Sequence, residues 1–438
     1  MSKEYLSSQS YKGTRDFFPK DKRLHRWMFD QMGKVVTSYG YEEYDGPMLE
    51  PFELYAAKTG EEIVNQQLYT LIDRGERKLA IRPEMTPTLA RMVAQKIQEL
   101  ARPIRWYSVP NVWRYERPQR GRLREHWQLN VDVLGGETAF ADAEIFHLVY
   151  DLITAFGGEK FISIRINHRN LTNCFFKDSL GLSPELALQL AKSIDAREKI
   201  GEEKYQAWIK DLGINDDQQK QMEVFFESSF DDIKRNYSCS GISDLDALFE
   251  NLKNFPINSQ IIFDPKVMRG MNYYTGVVFE VYDTCAENRR AMFGGGRYDD
   301  LLGLFGNTRL SGIGFGMGDV TLQHFLEVHK LLPQFQSAID VFVTFPKQEF
   351  AQKAQEIVID LRQKGFTVIT PLEIGSFSQQ LKVADKHEAH FAVLLGEQEL
   401  AQNKVVIKNL KEGSQCAIDI VQVSDFLKGK CKSCQKIF

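Results

Sequence analysis

No stretch of this 438-residue chain stays apolar long enough to span a bilayer, and its opening residues, MSKEYLSSQSYKGTRDFFP, hold no run suited to a signal peptide. No membrane partner is expected, and a cytoplasmic location fits. Cysteine is scarce: the 6 residues are scattered at positions 174, 239, 285, 416, 431 and 434, which suits reduced thiols better than a disulfide framework. Cys431 and Cys434 form a lone CxxC, but no further zinc ligands stand at suitable spacing, so the pair reads as incidental and no metal site is expected. Excess charge is absent too. With 55 basic and 59 acidic residues the net charge is only -4, so no global field advertises a nucleic-acid partner. A local basic patch stays open, because phosphate binding depends on where charges sit.

What is present is enough chain for two or three domains, since single cores stop growing at roughly 250–300 residues. The most informative stretch is Arg105 to Gly135, RWYSVPNVWRYERPQRGRLREHWQLNVDVLG, which reads as two strands joined by a basic loop. Alternate residues of a strand face the same way. Arg114 and Glu116 thus share one face of the first strand, and Gln128 and Asp132 one face of the second, opposite the apolar row Trp127, Leu129, Val131 and Val133. The loop adds Arg117, Arg120, Arg122 and Arg124. Paired as a hairpin, the strands make a floor of charged and amide groups beneath a guanidinium-rich flap, suited to a triphosphate beside a small polar molecule. A solvated hairpin face fits the same pattern, and the stretch alone does not choose.

Apolar residues recur at helical spacing from Asp21 to Tyr39, with Gly40 as a stop. Pro47 and Pro51 in GYEEYDGPMLEP restrict the next segment to an edge strand or a subunit contact. Leu79 to Arg82 read as a short strand, and Thr86 with Pro87 as the N-cap and first position of a helix, which puts Glu84 at a strand-to-helix junction. There a carboxylate complements the helix dipole or binds a substrate ammonium. Ala141 to Phe156 read as helix, residues 161–166 as strand, and 171–252 as a charged helical run. Strand character returns in NSQIIFDP and over 272–283, and two glycine clusters follow, FGGGRYDDLLG and SGIGFGMGDVTL. Beyond a linker at 326–337, strands alternate with helices, which argues a compact α/β domain.

Together these motifs resemble those of the histidyl-tRNA synthetases, class II aminoacyl-tRNA synthetases, over essentially the full length. The matching stretches are KGTRDFFP, GYEEYDGPMLEP as motif 1, IRPEMT, WRYERPQRGR through QLNVDVLG as motif 2, and RGMNYYTGVVFE with GGGRYD. SGIGFGMGDVTL stands where motif 3 belongs, and LKVADKHEAHFAVLLGEQEL resembles the anticodon-binding part. RGMNYYTG is the most specific match, being similar to the signature peculiar to the histidine enzymes. The resemblance implies an α+β fold: a class II synthetase-like antiparallel sheet flanked by helices in residues 1–325, with a helical insertion at 168–258, and a C-terminal α/β anticodon-binding domain at 338–438. It also implies a homodimer, with motif 1 at the interface, that activates histidine with ATP and passes it to the 3'-hydroxyl of tRNA(His).

The site residues follow from the same resemblance. Arg114 is implied on the α-phosphate, Arg122 on the outer phosphates, Glu116 at the adenine amino group and His126 stacking near the base, with Mg2+ riding on the triphosphate. Arg269 is the implied catalytic residue, between the histidine carboxylate and the α-phosphorus, where preorganised positive charge supplies the largest catalytic term. Glu84, Thr86 and Gln128 take the α-ammonium, Asp132 and Tyr274 read the imidazole, and Tyr273 and Tyr298 are pocket walls. Arg117 and Gln119 are implied at the acceptor end of the tRNA, and Lys382 and Lys386 at the anticodon, with Phe377 a stacking candidate.

Three positions depart from the family pattern. Asp132 stands where many relatives carry glutamate, and Asn272 replaces the usual aspartate of the signature. Motif 3 usually ends in an arginine that clamps the γ-phosphate, and Thr321 stands there. The missing charge comes from elsewhere, Arg122 or Arg297, or ATP binds more weakly. That gap lends weight to a rival, a non-catalytic synthetase-like regulatory subunit of ATP phosphoribosyltransferase. The Arg269 signature, the motif 2 arginines and the C-terminal domain, which those regulators generally lack, favour the ligase. A tRNA-sensing module would not need both Arg269 and Glu84.

Overall fold

The computed structural model describes residues 6–430 except 58, 60–62, 137, 270–272, 286–287, 289 and 336, and the side chains at 198 and 199. Asn272, Cys431 and Cys434 therefore lie outside the described residues. The chain divides into two compact units, Met1–Leu332 and Pro333–Phe438.

The first unit is built on a mixed sheet of β1 (Glu42–Glu43), β2 (Ile104–Ser108), β3 (Glu125–Leu134), β4 (Ile162–His168), β5 (Ile261–Phe263), β6 (Val277–Asp283), β7 (Ala291–Tyr298) and β8 (Gly312–Gly318). Their spatial order is β1-β2-β3-β8-β7-β6-β4-β5. Neighbours run antiparallel except at the two ends, where β1 with β2 and β4 with β5 are parallel. A short strand, Asn111–Trp113, pairs with the first residues of β3, so the stretch read as a two-stranded hairpin uses three strands. The loop 114–124 then leaves the end of the sheet.

Four helices frame this sheet: α1 (Pro19–Ser38), α2 (Thr86–Lys96), α3 (Thr138–Ala155) and α4 (Asp319–Val328). Pro19 opens α1 where its missing N–H costs nothing, and Gly40 follows its end at φ +79. Met28, Met32 and Val36 of α1 and Ile145, Phe146 and Leu152 of α3 are buried in one core with Leu129, Val131 and Val133 of β3. Each such side chain contributes about 1.5–3 kcal/mol by leaving water. A one-residue slip of β3 would exchange its faces and forfeit that burial. Register is thereby set, and Gln128, Asn130 and Asp132 are turned to the opposite side. At α2 the sequence reading needs correction: Thr86 is the first helical residue and Met85 holds the cap position, without a side-chain cap bond. Pro87 is tolerated in the first helical turn because the N–H groups there have no intrahelical partner.

Residues between β4 and β5 fold into helices, including Pro184–Ile200, Glu202–Asp211, Asp216–Glu227 and Ser240–Leu252. Ser183 and Asn215 cap two of them by accepting backbone N–H groups, and Phe175, Phe225, Leu245 and Leu248 join the main core. The proline-punctuated segment forms edge strands: β1, and Leu49–Pro51 in a small antiparallel sheet with Lys78–Ile81 and Thr70–Ile72.

The second unit has a five-stranded sheet in the order Val368–Ile369, Val341–Val343, Phe391–Leu394, Lys404–Asn409, Gln415–Asp419. The first three run parallel and the last two antiparallel. Gln415–Asp419 was not anticipated, because QCAID has little apolar alternation. Its pairing with Lys404–Asn409 makes it a strand.

Candidate active site

Above the polar face of β3 and β8 lies a cavity of about 1320 Å³. Its floor is bare for a reason legible in β8, GIGFGMG. Ile313, Phe315 and Met317 point into the core, so the alternating glycines face the cavity side. A Cβ on Gly314 would stand 2.2 Å from Asp132 Oδ1, and one on Gly316 2.3 Å from Gln128 Nε2. Only glycine leaves room for these two side chains.

All the residues implied for histidine or ATP line this cavity: Glu84, Thr86, Arg114, Glu116, Arg122, His126, Gln128, Asp132, Arg269, Tyr273 and Tyr274. Tyr298 and Thr321 join them. Arg117 and Gln119 do not; they are exposed on the loop, which Gln119 and Arg122 close by exchanging backbone hydrogen bonds of 3.0 and 2.9 Å. Lys382 and Lys386 are exposed on the helix Phe377–Lys386 of the second unit, and Phe377 is half-buried there.

Two buried carboxylates mark one part of the cavity. Glu84 accepts from Thr59 Oγ1 at 2.8 Å and from the Tyr273 hydroxyl at 3.0 Å. Burial holds its pKa above the usual carboxylate range despite the pull of Arg114 and those two donors. Asp132 accepts from the Tyr298 hydroxyl at 2.5 Å through Oδ1, while its buried Oδ2 has no partner among the described residues. Burial pushes Asp132 up to about 7, with Tyr298 opposing and the Glu84 charge adding.

The cations lie beside them. Arg114 donates to Pro83 O at 2.9 Å through Nε. Arg269 adopts φ +50, a conformation costing an L-residue about 1–2 kcal/mol. Its Nη1 donates to Glu280 Oε1 at 3.1 Å, and its buried Nε has no partner among the described residues. Arg122 approaches Glu116 at 3.4 Å. His126 is held neutral: burial first, then the Arg114 charge, lower its pKa to about 4. A neutral imidazole can stack on a base without competing for phosphate.

The KGTRDFFP motif straps this site from outside. Gly13 O accepts from Arg124 N at 2.9 Å at the base of the loop, and Arg15 Nη2 donates to Asp319 Oδ2 at 2.7 Å. Asp319, fully buried at the start of α4, also accepts from Trp127 N at 3.1 Å through Oδ1. One segment thus ties together β3, the basic loop and the glycine-rich end of β8.

Arg297, one of the two candidates for the missing phosphate charge, is not available for it. It is 3% exposed, and its guanidinium is committed to Asp142 at 2.5 Å. Gly294 and Tyr298 of β7 line the cavity, and Arg297 does not. Thr321 meanwhile places Oγ1 2.9 Å from Met292 O and 3.1 Å from Gly318 O. Sequence reasoning missed Thr59, Asn130 and Glu280. Asn130 was legible from the alternation that flagged Gln128 and Asp132, and it accepts from Gln128 Nε2 at 2.7 Å. Thr59 and Glu280 carry no local signal, because their partners, Glu84 and Arg269, are brought to them by the fold.

Comparison with known proteins agrees with this geometry. The family model for histidyl-tRNA synthetase matches residues 13–320, and that for the anticodon binding domain matches 340–430. The chain is 44% identical over 419 residues to a histidine–tRNA ligase of Leptospira biflexa, covering 95% of this chain and 96% of that one. It is 35% identical over 420 residues to one of Haloarcula marismortui, covering 94% and 95%. Among solved structures, the histidyl-tRNA synthetase of Nostoc superimposes with a TM-score of 0.79 at 26% identity over 98% of this chain and 100% of that one. A Bacillus halodurans protein described as an ATP phosphoribosyltransferase regulatory subunit/histidyl-tRNA synthetase gives 0.70 at 25% identity, covering 88% and 97%. With a family model spanning nearly the whole first unit and a relative this similar along its full length, the chain belongs to the histidyl-tRNA synthetase family.

Proposed function

We propose that the cavity of the first unit is where histidine and ATP combine before histidine passes to the 3'-hydroxyl of tRNA(His). One observation carries this reading: a buried carboxylate oxygen, Asp132 Oδ2, and a buried guanidinium N–H, Arg269 Nε, both lack partners among the described residues and belong to residues lining the same cavity. Each costs about 1–3 kcal/mol unsatisfied. Histidine has an N–H for the first and a carboxylate for the second. Asp132 accepts one imidazole N–H and the Tyr274 hydroxyl meets the other ring nitrogen. Glu84, Thr86 and Gln128 take the α-ammonium, with Tyr273 closing the wall.

The chemistry then follows from charge. A carboxylate oxygen of histidine attacks the α-phosphorus, the bond to the β-phosphate bridging oxygen breaks, and pyrophosphate leaves. Arg269 contacts both reacting partners and Arg114 the α-phosphate, so positive charge is in place where negative charge accumulates. Glu116 accepts from the adenine amino group, His126 stacks beside the base, and Arg122 meets the outer phosphates. Glu116 and Glu280 are already paired with Arg122 and Arg269, at 3.4 and 3.1 Å, so Mg2+ entering with ATP would be held mainly by the phosphates and would help neutralise their charge. The tRNA 3'-hydroxyl next attacks the activated carbonyl and releases AMP.

We assign catalysis to residues 1–325 and anticodon reading to 338–438. Arg117 and Gln119 serve the acceptor end, and Lys382 and Lys386 the anticodon. The chain works as a cytoplasmic homodimer. Exposed Met48, Leu49 and Ile72 on the small sheet support an interface there, and no described helix is long and apolar enough to cross a membrane. The observation favouring the regulatory alternative is Thr321 in place of a phosphate-binding arginine. Histidine-dependent exchange of pyrophosphate into ATP decides between them: the ligase exchanges with histidine and not with other amino acids, whereas the regulatory subunit does not exchange.

A further inference from the structure

We propose that Arg290, at the foot of β7, supplies the phosphate-facing charge that Thr321 withholds, so that the outer phosphates of ATP lie between Arg290 and Arg122. The inference rests on the reading of this cavity as the ATP site. Arg290 immediately precedes Ala291, lines the cavity and is exposed. Position 321 and the start of β7 are joined directly: Thr321 Oγ1 lies 2.9 Å from the carbonyl oxygen of Met292, two residues beyond Arg290. At about 3.3 Å per residue, Arg290 emerges roughly 7 Å along the strand from that contact. This is comparable to the span of one extended arginine side chain.

The basic loop meets the same place from the other side. A Cβ on Gly121 would stand 3.7 Å from Thr321 Cγ2, so Arg122, the next residue, is carried close to Thr321 and also lines the cavity. Charge bookkeeping points the same way. Arg297 is locked to Asp142 and Arg269 is paired with Glu280, while Arg122 approaches Glu116 only at 3.4 Å and stays half-exposed. Among the described residues, Arg290 has no ion pair or hydrogen bond, although it stands at a cavity wall. A guanidinium fork suits phosphate oxygens, and here it is unspent. The short Thr321 side chain clears the space and pins the strand that presents the replacement.

The test compares the full-length protein with Arg290→Ala, Arg290→Lys and the double variant Arg290→Ala/Thr321→Arg. In histidine-dependent pyrophosphate exchange, Arg290→Ala should raise the ATP KM about ten- to a hundredfold, the range for losing one charge-assisted hydrogen bond, with the histidine KM within about twofold. Arg290→Lys should fall between the two, as a point charge without the fork. The double variant should lower the ATP KM again. Calorimetric titration should show Arg290→Ala weakened for ATP and unchanged for AMP, which has no outer phosphates. An unchanged ATP KM, or equal losses for ATP and AMP, overturns the proposal. A double variant no better than Arg290→Ala overturns the claim that the two positions serve one phosphate. If the unaltered protein shows no histidine-dependent exchange, the functional reading fails, while the ATP and AMP titrations still decide the role of Arg290.

Discussion

Replacing Asp132 with asparagine should make the ligand-free protein more stable and its recognition of histidine poorer. Asp132 is 3% exposed, and burial pushes its carboxyl from the ordinary 3.8 up to about 7. Between those values the unfolded chain has released a proton that the folded chain still holds, so stability falls as pH rises toward 7. At about 1.36 kcal/mol per pH unit, that penalty is roughly 2 kcal/mol at pH 5 and roughly 4 kcal/mol at pH 8. Asparagine keeps an oxygen for the Tyr298 hydroxyl and has no charge to bury. Its advantage over aspartate should therefore grow by about 2–3 kcal/mol from pH 5 to pH 8. Urea unfolding followed by tryptophan fluorescence at the two pH values measures the difference directly. The comparison between pH values cancels whatever the amide does to packing. An advantage of equal size at both would refute the claim that this carboxylate is desolvated in the fold. In the exchange assay, the same variant should raise the histidine KM about tenfold or more, because a neutral acceptor replaces a charged one. If it raises the ATP KM instead, Asp132 does not face the imidazole.

Arg269→Ala should abolish histidyl-adenylate formation while ATP binding largely persists; adenylate in a single-turnover rapid quench would sink the catalytic assignment. Gly314→Ala places a methyl 2.2 Å from Asp132 Oδ1, so a loss of about 1–3 kcal/mol in stability and a higher histidine KM are expected. Wild-type values for both would show that the floor of the cavity is not tight. Ile72→Asp, at a side chain 65% exposed on the small sheet, should dissociate the dimer in light scattering at micromolar concentration. A variant that remains dimeric would move the interface elsewhere.

Much of the site was legible because strand periodicity is local. The apolar row Leu129, Val131 and Val133 announced the core face of β3 and so the opposite face of Gln128 and Asp132, and burial of the row agrees. The glycines of β8 were visible as a cluster, but not as a floor, since only the pairing of Gly314 with Asp132 and Gly316 with Asn130 shows what they make room for. Arg297 misled for the same reason. Its sequence neighbourhood is rich in glycine and charge, yet its partner Asp142 comes from α3, more than a hundred residues away. Arg290 passed unnoticed because nothing beside it in sequence suggests a phosphate.

By itself, the sequence determined most of the helices and strands, the apolar face of elements such as β3, and, through RGMNYYTG and its companion motifs, the family to which the chain belongs. These properties depend on residues within a few positions of one another, at repeats of 2 or 3.6. The tertiary structure decided which charges share the cavity. The sheet order β3-β8-β7-β6 brings together segments that lie far apart in the chain, and the strap from Arg15 to Asp319 spans 304 residues. Whether a given arginine faces substrate or a buried carboxylate depends on those distant pairings, because electrostatic contacts act through space and not along the chain.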